Sequence, residues 1–179
     1  MMPRKIGWSD LIRVVVAVDP SGASGSGDAN ADEIGIVIAA ALPDRTFAVL
    51  EDATCKLSPL GWARRAVDRY EYWRADRIIA EKNFGGAMVE SNIRTVAPSA
   101  RVQLVTASRG KVIRAEPIAA LYEQKRVFHA PGLDALEAQM LHMTTSGYVG
   151  DGSPDRVDAL VWALTDLALT GSGYSLSNL

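Results

Sequence analysis

The chain has 179 residues, 48% of them apolar and 22% charged, with a formal net charge of −2. That length carries one domain with a sizeable core. The charge excludes a global attraction to nucleic acid or acidic membranes, so a polyanion partner needs a local basic patch or bound metal. Cys55 is the only cysteine, which excludes an intramolecular disulfide. No stretch reaches the ~20 apolar residues needed to span a membrane. The opening segment "MMPRKIGWSD" lacks the apolar core of a signal peptide, so the expected compartment is cytoplasmic.

Residues 1–12 read as an N-terminal extension. Arg13–Asp19 forms a first predicted strand, Ile34–Ala41 a second and Thr46–Asp52 a third. "ALPDRT" joins the last two, with Pro43 and Asp44 placed for a tight hairpin turn. Leu60–Trp73 has helical spacing at Leu60, Ala63, Val67 and Tyr70. Arg77–Glu81 is a short buried strand, and "NFGG" leads into a helix from about Ala87 to Val96. Arg101–Val105 is a further strand, and Lys111–Gln124 and Leu133–His142 are helical. A last helix starts at "SPDRVDALVWALTDLAL", and residues 170–179 make a small, polar tail. Three strands joined by short turns, then strands alternating with helices, predict one α/β domain over 13–169. Its mixed sheet of five or more strands is antiparallel through the first three and parallel beyond, with helices on both faces.

Asp19 ends the first strand among residues that cannot solvate a charge. A buried carboxylate is costly unless paired. Strand alternation puts Val15, Ala17 and Asp19 on one face, and Ile79 and Glu81 on one face of theirs. If the two strands are parallel neighbours, both acids lie at the carboxyl edge of the sheet, roughly 5 Å apart, where open α/β sheets take ligands. The last helix offers more. Ser153 suits the N-cap and Pro154 the first helical position. Asp155 then falls in the first turn, where the helix dipole is sufficient to explain it. Asp158 lies a turn deeper, among Val157, Leu160, Val161 and Leu164, where capping does not explain it. Asp19, Glu81 and Asp158 together would make a hard-cation site suited to Mg²⁺ or Mn²⁺. Such a cluster can hold two ions that activate water and steady the leaving oxygen in phosphodiester cleavage.

The segments "VVVAVDPSGASGSGDANADEIGIVIAA", "RIIAEKNFGGAMVES", "ASRGKVIRAEPIAALYEQKRVFH" and "GSPDRVDALVWAL" together resemble the nuclease domain of a phage large terminase subunit, over roughly Arg13 to Leu169. The resemblance implies a ribonuclease H-like fold and an endonuclease that cuts concatemeric double-stranded viral DNA during packaging, in the cytoplasm of a bacterial host. Its acid on the first strand falls on Asp19, the one closing the fourth strand on Glu81, and the one on the last helix on Asp158. Asp155 is an accessory ligand candidate. Of the loop acids Asp28 and Asp32, Asp32 is the better candidate for a further metal ligand, against a solvated loop charge for either. The partners implied are double-stranded DNA, an ATPase motor domain, a small terminase subunit and a portal, with no membrane. The sequence itself carries no G-x-x-x-x-G-K-[ST] phosphate loop; "GASGSGD" lacks the lysine and reads as a flexible loop. The chain therefore reads as an excised domain or a shortened prophage product.

"SRGKVIR" places Arg109, Lys111 and Arg114 after the fifth strand, where they could hold phosphates near the acids; a solvated helix face is the competing explanation. His129 and His142 have no partners at zinc-ligand spacing, and Cys55 has no base nearby in sequence. Trp62, Trp73 and Trp162 read as core, and Glu51 and Asp52 as a strand end. Two other functions share these residues: a resolvase-like nuclease of the same fold, and an inactive module binding DNA or a portal.

Overall fold

The computed structural model of the protein describes residues 7–20, 33–82, 86–107 and 110–170. Asp28, Asp32 and Arg109, the loop "GASGSGD" and most of the polar tail lie outside the described residues. Thirteen elements follow in order: β1 (Arg13–Asp19), β2 (Gly35–Ala41), β3 (Phe47–Asp52), α1 (Pro59–Tyr72), β4 (Arg77–Glu81), α2 (Gly86–Val96), β5 (Val102–Val105), α3 (Lys111–Glu123), β6 (Val127–His129), α4 (Asp134–Met140), β7 (Met143–Thr144), β8 (Gly147–Tyr148) and α5 (Asp155–Thr165). A π-helical turn, Asp166–Thr170, continues α5.

Six strands form one sheet in the order β5-β4-β1-β2-β3-β6. β1, β2 and β3 are antiparallel neighbours, while β4 lies parallel to β1, β5 to β4 and β6 to β3. This is the mixed sheet expected, with β6 added beside β3. β1 sits inside the sheet and is apolar on both faces, as a doubly covered strand must be. Its odd residues Val15 and Ala17 join Val37, Ala39, Ile79 and the buried side of α5 in one core. Its even residues Val14, Val16 and Val18 join Ile36, Ile38 and Ile78 under Trp62, Val67, Val89 and Ile93 of α1 and α2. Alternation along the strands thus builds two cores with one helical layer on each.

The helix ends follow local chemistry at one side of the sheet and depart from it at the other. Ser58 caps α1, its hydroxyl accepting from the Gly61 amide, with Pro59 in the first turn. At α5 the expected Ser153 cap is not formed. Pro154 itself occupies the N-cap and the helix begins at Asp155, so Asp158 also falls at the helix start rather than beyond it. The short strands β6, β7 and β8, absent from the predicted elements, carry no sequence pattern long enough to reveal alternation.

Candidate active site

β1 and β4 run parallel in a register that pairs Ala17 with Ile79 and Val18 with Ala80. Asp19 and Glu81 are the last residues of these two parallel strands and so stand at their carboxyl ends. On the other flank Asp19 pairs with Gly35. Gly35 explains how the last helix comes so close. A side-chain Cβ built there would lie 2.0 Å from the carbonyl oxygen of Asp155 and 3.3 Å from the Ala159 Cβ. Only a glycine lets α5 rest on the strand at this point, and that seat delivers Asp155 and Asp158 to the edge where Asp19 ends.

Asp19, Asp155 and Asp158 are all buried, at 2%, 3% and 4% exposure. Lys111, at the start of α3, donates to Asp158 Oδ2 in a short ion pair. Burial pulls the Lys111 pKa down, but the hydrogen bond and charge of Asp158, with the charges of Asp19 and Asp155, more than offset this and hold it above the ordinary lysine value. Asp158 does not behave as the simple partner of that pair. Burial pushes its pKa up, and Glu81 adds repulsion, against the opposing pull of Lys111 and Arg114; the net direction is upward. Charge thus links Lys111 to Asp158, Asp19 and Asp155, and Asp158 to Glu81.

Glu81 closes the other side. Its Oε2 accepts from Trp162 Nε1 at 3.1 Å and lies 4.0 Å from Arg114 Nη1. The Arg114 guanidinium in turn lies 4.5 Å from the centre of the Trp162 ring, a cation–π distance. Trp162 is therefore both core and site. Lys111 and Arg114 both reach acids, Lys111 from a half-exposed position and Arg114 from a largely buried one that a solvated helix face does not describe.

The first turn of α5 is also held from outside. Arg156 donates its Nε to Asp52 Oδ2 at 2.9 Å and grips both oxygens of Glu33. Asp52 Oδ1 accepts from the Thr54 amide, and the Thr54 hydroxyl accepts from the Ile36 amide. Gln139 of α4 reaches the same turn, accepting from the Val157 amide at 3.0 Å and donating to the Ser153 carbonyl at 3.1 Å. The sequence reading missed Gly35, Arg156 and Gln139 altogether and took Asp52 for a strand end. None carries a local motif, and each acts only through long-range packing.

The donor set suits a hard cation: carboxylates alone, held on strand ends and a helix, with a cationic ammonium already seated on Asp158. Among the described residues, no three His, Cys, Asp or Glu side chains are gathered closely enough to form a metal shell as they stand.

Comparison with known proteins gives this geometry a context. The family model described as "Terminase RNaseH-like domain" matches residues 16–167. Among solved structures, the large terminase nuclease from thermophilic phage G20c is 17% identical, with a TM-score of 0.60 over 91% of this chain and 83% of that one. A mutant nuclease domain of the large terminase subunit gp2 of bacterial virus Sf6, with manganese and beta-thujaplicinol, is 14% identical, with a TM-score of 0.61 over 87% and 89%. The yeast mitochondrial Holliday junction resolvase Ydc2 is 10% identical, with a TM-score of 0.50 over 83% and 75%. At these identities the likeness is one of fold, and that fold is ribonuclease H-like. No curated protein matches the chain at a significant level.

Proposed function

The chain belongs to the terminase RNaseH-like domain family, and on that premise we propose that it is a metal-dependent endonuclease cutting double-stranded, concatemeric viral DNA during genome packaging. The observation that carries the proposal is that β1 and β4 run parallel and close on Asp19 and Glu81, while α5, seated on Gly35, carries the buried Asp158. Asp19, Glu81 and Asp158 would hold Mg²⁺ or Mn²⁺, two ions in all, with Asp155 assisting. Asp32, outside the described residues, is the remaining candidate ligand. Bound there, the ions would activate water and steady the leaving oxygen of a phosphodiester. Two related structures support the choice of cation: the Sf6 domain holds manganese, and a G20c nuclease structure holds magnesium.

The chain's own residues supply rigidity and charge. β1 and β4 fix two carboxylates on sheet backbone, and Gly35 seats the helix that brings the third. Lys111 and Arg114 keep positive charge beside the acids. With Arg109, outside the described residues, they are the proposed contacts to DNA phosphates. In the full packaging assembly the partners would be an ATPase motor, a small terminase subunit and a portal, in the cytoplasm of a bacterial host.

Plasmid cleavage tests the proposal directly. Purified protein should nick or linearise supercoiled DNA with Mn²⁺ or Mg²⁺ and stop on addition of EDTA, and Asp19→Ala should be inactive. Cleavage that survives chelation, or that Asp19→Ala retains, would overturn the metal mechanism. The resolvase-like alternative rests on the shared fold with Ydc2; a strong preference for four-way junctions over linear duplex would favour it.

A further inference from the structure

α5 carries two of the acids, yet it begins without a cap of its own. Its N-cap is Pro154, with no side-chain hydrogen bond, and a proline ring offers no acceptor for the exposed amides of a first turn. The missing acceptor comes from another helix. Counting from Asp155 as the first helical residue, Val157 is the third, and its amide is one of those that an N-cap side chain normally receives. Here that amide donates to Gln139 Oε1 at 3.0 Å. The other end of the same side chain, Nε2, donates to the Ser153 carbonyl at 3.1 Å. An amide partner on one side and a carbonyl on the other leave a single orientation in which both bonds form.

Gln139 therefore spans the helix start, with Pro154, Asp155 and Arg156 between its two contacts. α4 is itself anchored, since Leu136 on the helix is fully buried in the same core as α5. We propose that Gln139 is a positioning residue for the acidic site, acting as the N-cap that α5 lacks and thereby fixing the turn that aims Asp155 and Asp158 at the end of β1. The proposal rests on the metal-site reading above.

A purely structural cap would lower stability and nothing else. A positioning role makes a further demand, because partners that orient metal ligands typically change metal affinity by about ten- to a hundredfold when lost. Gln139→Met keeps the length and helix propensity but removes both hydrogen bonds. Gln139→Glu keeps the acceptor for Val157. Ile93→Val, in the core on the opposite face of the sheet, provides a loss of stability that does not touch the site.

Mn²⁺ affinity by calorimetry, exchange of the Val157 amide, and kcat and KM for plasmid DNA should be measured for all three and for wild type. Gln139→Met should bind Mn²⁺ about tenfold more weakly, lose protection at Val157, and show a lower kcat at limiting Mn²⁺ with KM for DNA unchanged. Raising Mn²⁺ should restore kcat. Gln139→Glu should fall between it and wild type, and Ile93→Val should bind Mn²⁺ as wild type does. If wild type binds Mn²⁺ and Gln139→Met binds it equally well, Gln139 is a structural cap and the proposal is overturned while the metal reading stands. If wild type binds no Mn²⁺, the metal reading fails first and the positioning role falls with it.

Discussion

Lys111 and Asp158, 47 residues apart in sequence, form an ion pair between the starts of α3 and α5 in which a half-exposed ammonium meets a buried carboxylate. The pair is lopsided. Lys111 is held charged, whereas burial leaves Asp158 with a higher pKa than an ordinary aspartate despite its partner.

That asymmetry sets a pH dependence. Above the ordinary aspartate value, the unfolded chain has lost the proton that folded Asp158 still holds, so stability falls as pH rises through that window. Asp158→Asn mimics the neutral acid at nearly constant shape. In EDTA it should match wild type near about pH 4 and be the more stable protein by about pH 7. Urea denaturation of both proteins across this range measures it. A variant markedly weaker at neutral pH would make Asp158 a structural acid.

Metal should reverse the order. Mn²⁺ bound only by the folded state stabilises wild type by about 2.7 kcal/mol at a hundredfold excess over its dissociation constant. Asp158→Asn should gain much less. Thermal melts with EDTA and with Mn²⁺ compare the two, and equal gains would move the search for the ligand to Asp155.

Gly35→Ala should be costly for its size. The new methyl meets the Asp155 backbone, which is no flexible side-chain tip, so α5 must lift from the sheet. Overpacking of this kind costs about 1–3 kcal/mol, and the same displacement should weaken Mn²⁺ binding. Chemical denaturation and calorimetry together check both effects. A variant as stable as wild type would show that α5 has room to shift.

Arg156→Lys should fail to replace arginine, because the guanidinium reaches Asp52 with one nitrogen and both Glu33 oxygens with two others. Losing charge-assisted bonds of this kind costs about 1.5–3 kcal/mol. Arg156→Met should lose at least as much, since it leaves the Asp52 carboxyl, only 8% exposed, without the guanidinium that pairs with it. Denaturation midpoints of the two variants decide whether the fork geometry matters or only the charge.

Much of this layout was legible in the sequence. Alternation along Arg13–Asp19 and Arg77–Glu81 placed Asp19 and Glu81 at one edge, and the parallel register of β1 and β4 agrees. Strand patterns are local, so they survive translation into structure. What was illegible is what depends on distant partners. Ser153 and Pro154 looked like a self-sufficient cap and first turn, but the acceptor comes from Gln139 in α4. Gly35 fell inside the predicted strand Ile34–Ala41 with nothing to mark it until α5 came to rest on it. β6, three residues long, pairs with β3 across the whole of α1, β4, α2, β5 and α3, and no window of sequence contains both.

The acids stand at positions 19, 81 and 158, and α5, which brings the last of them, packs across β1 and β2 near the opposite end of the chain. During synthesis the sheet strands leave the ribosome well before that helix does. A nascent chain that has already made β1 and β4 still lacks Asp158, and with it the helix that covers one face of its sheet. Because the last of the proposed ligands and the helix that covers β1 and β2 arrive on one element, a partly made copy of this protein lacks both at once.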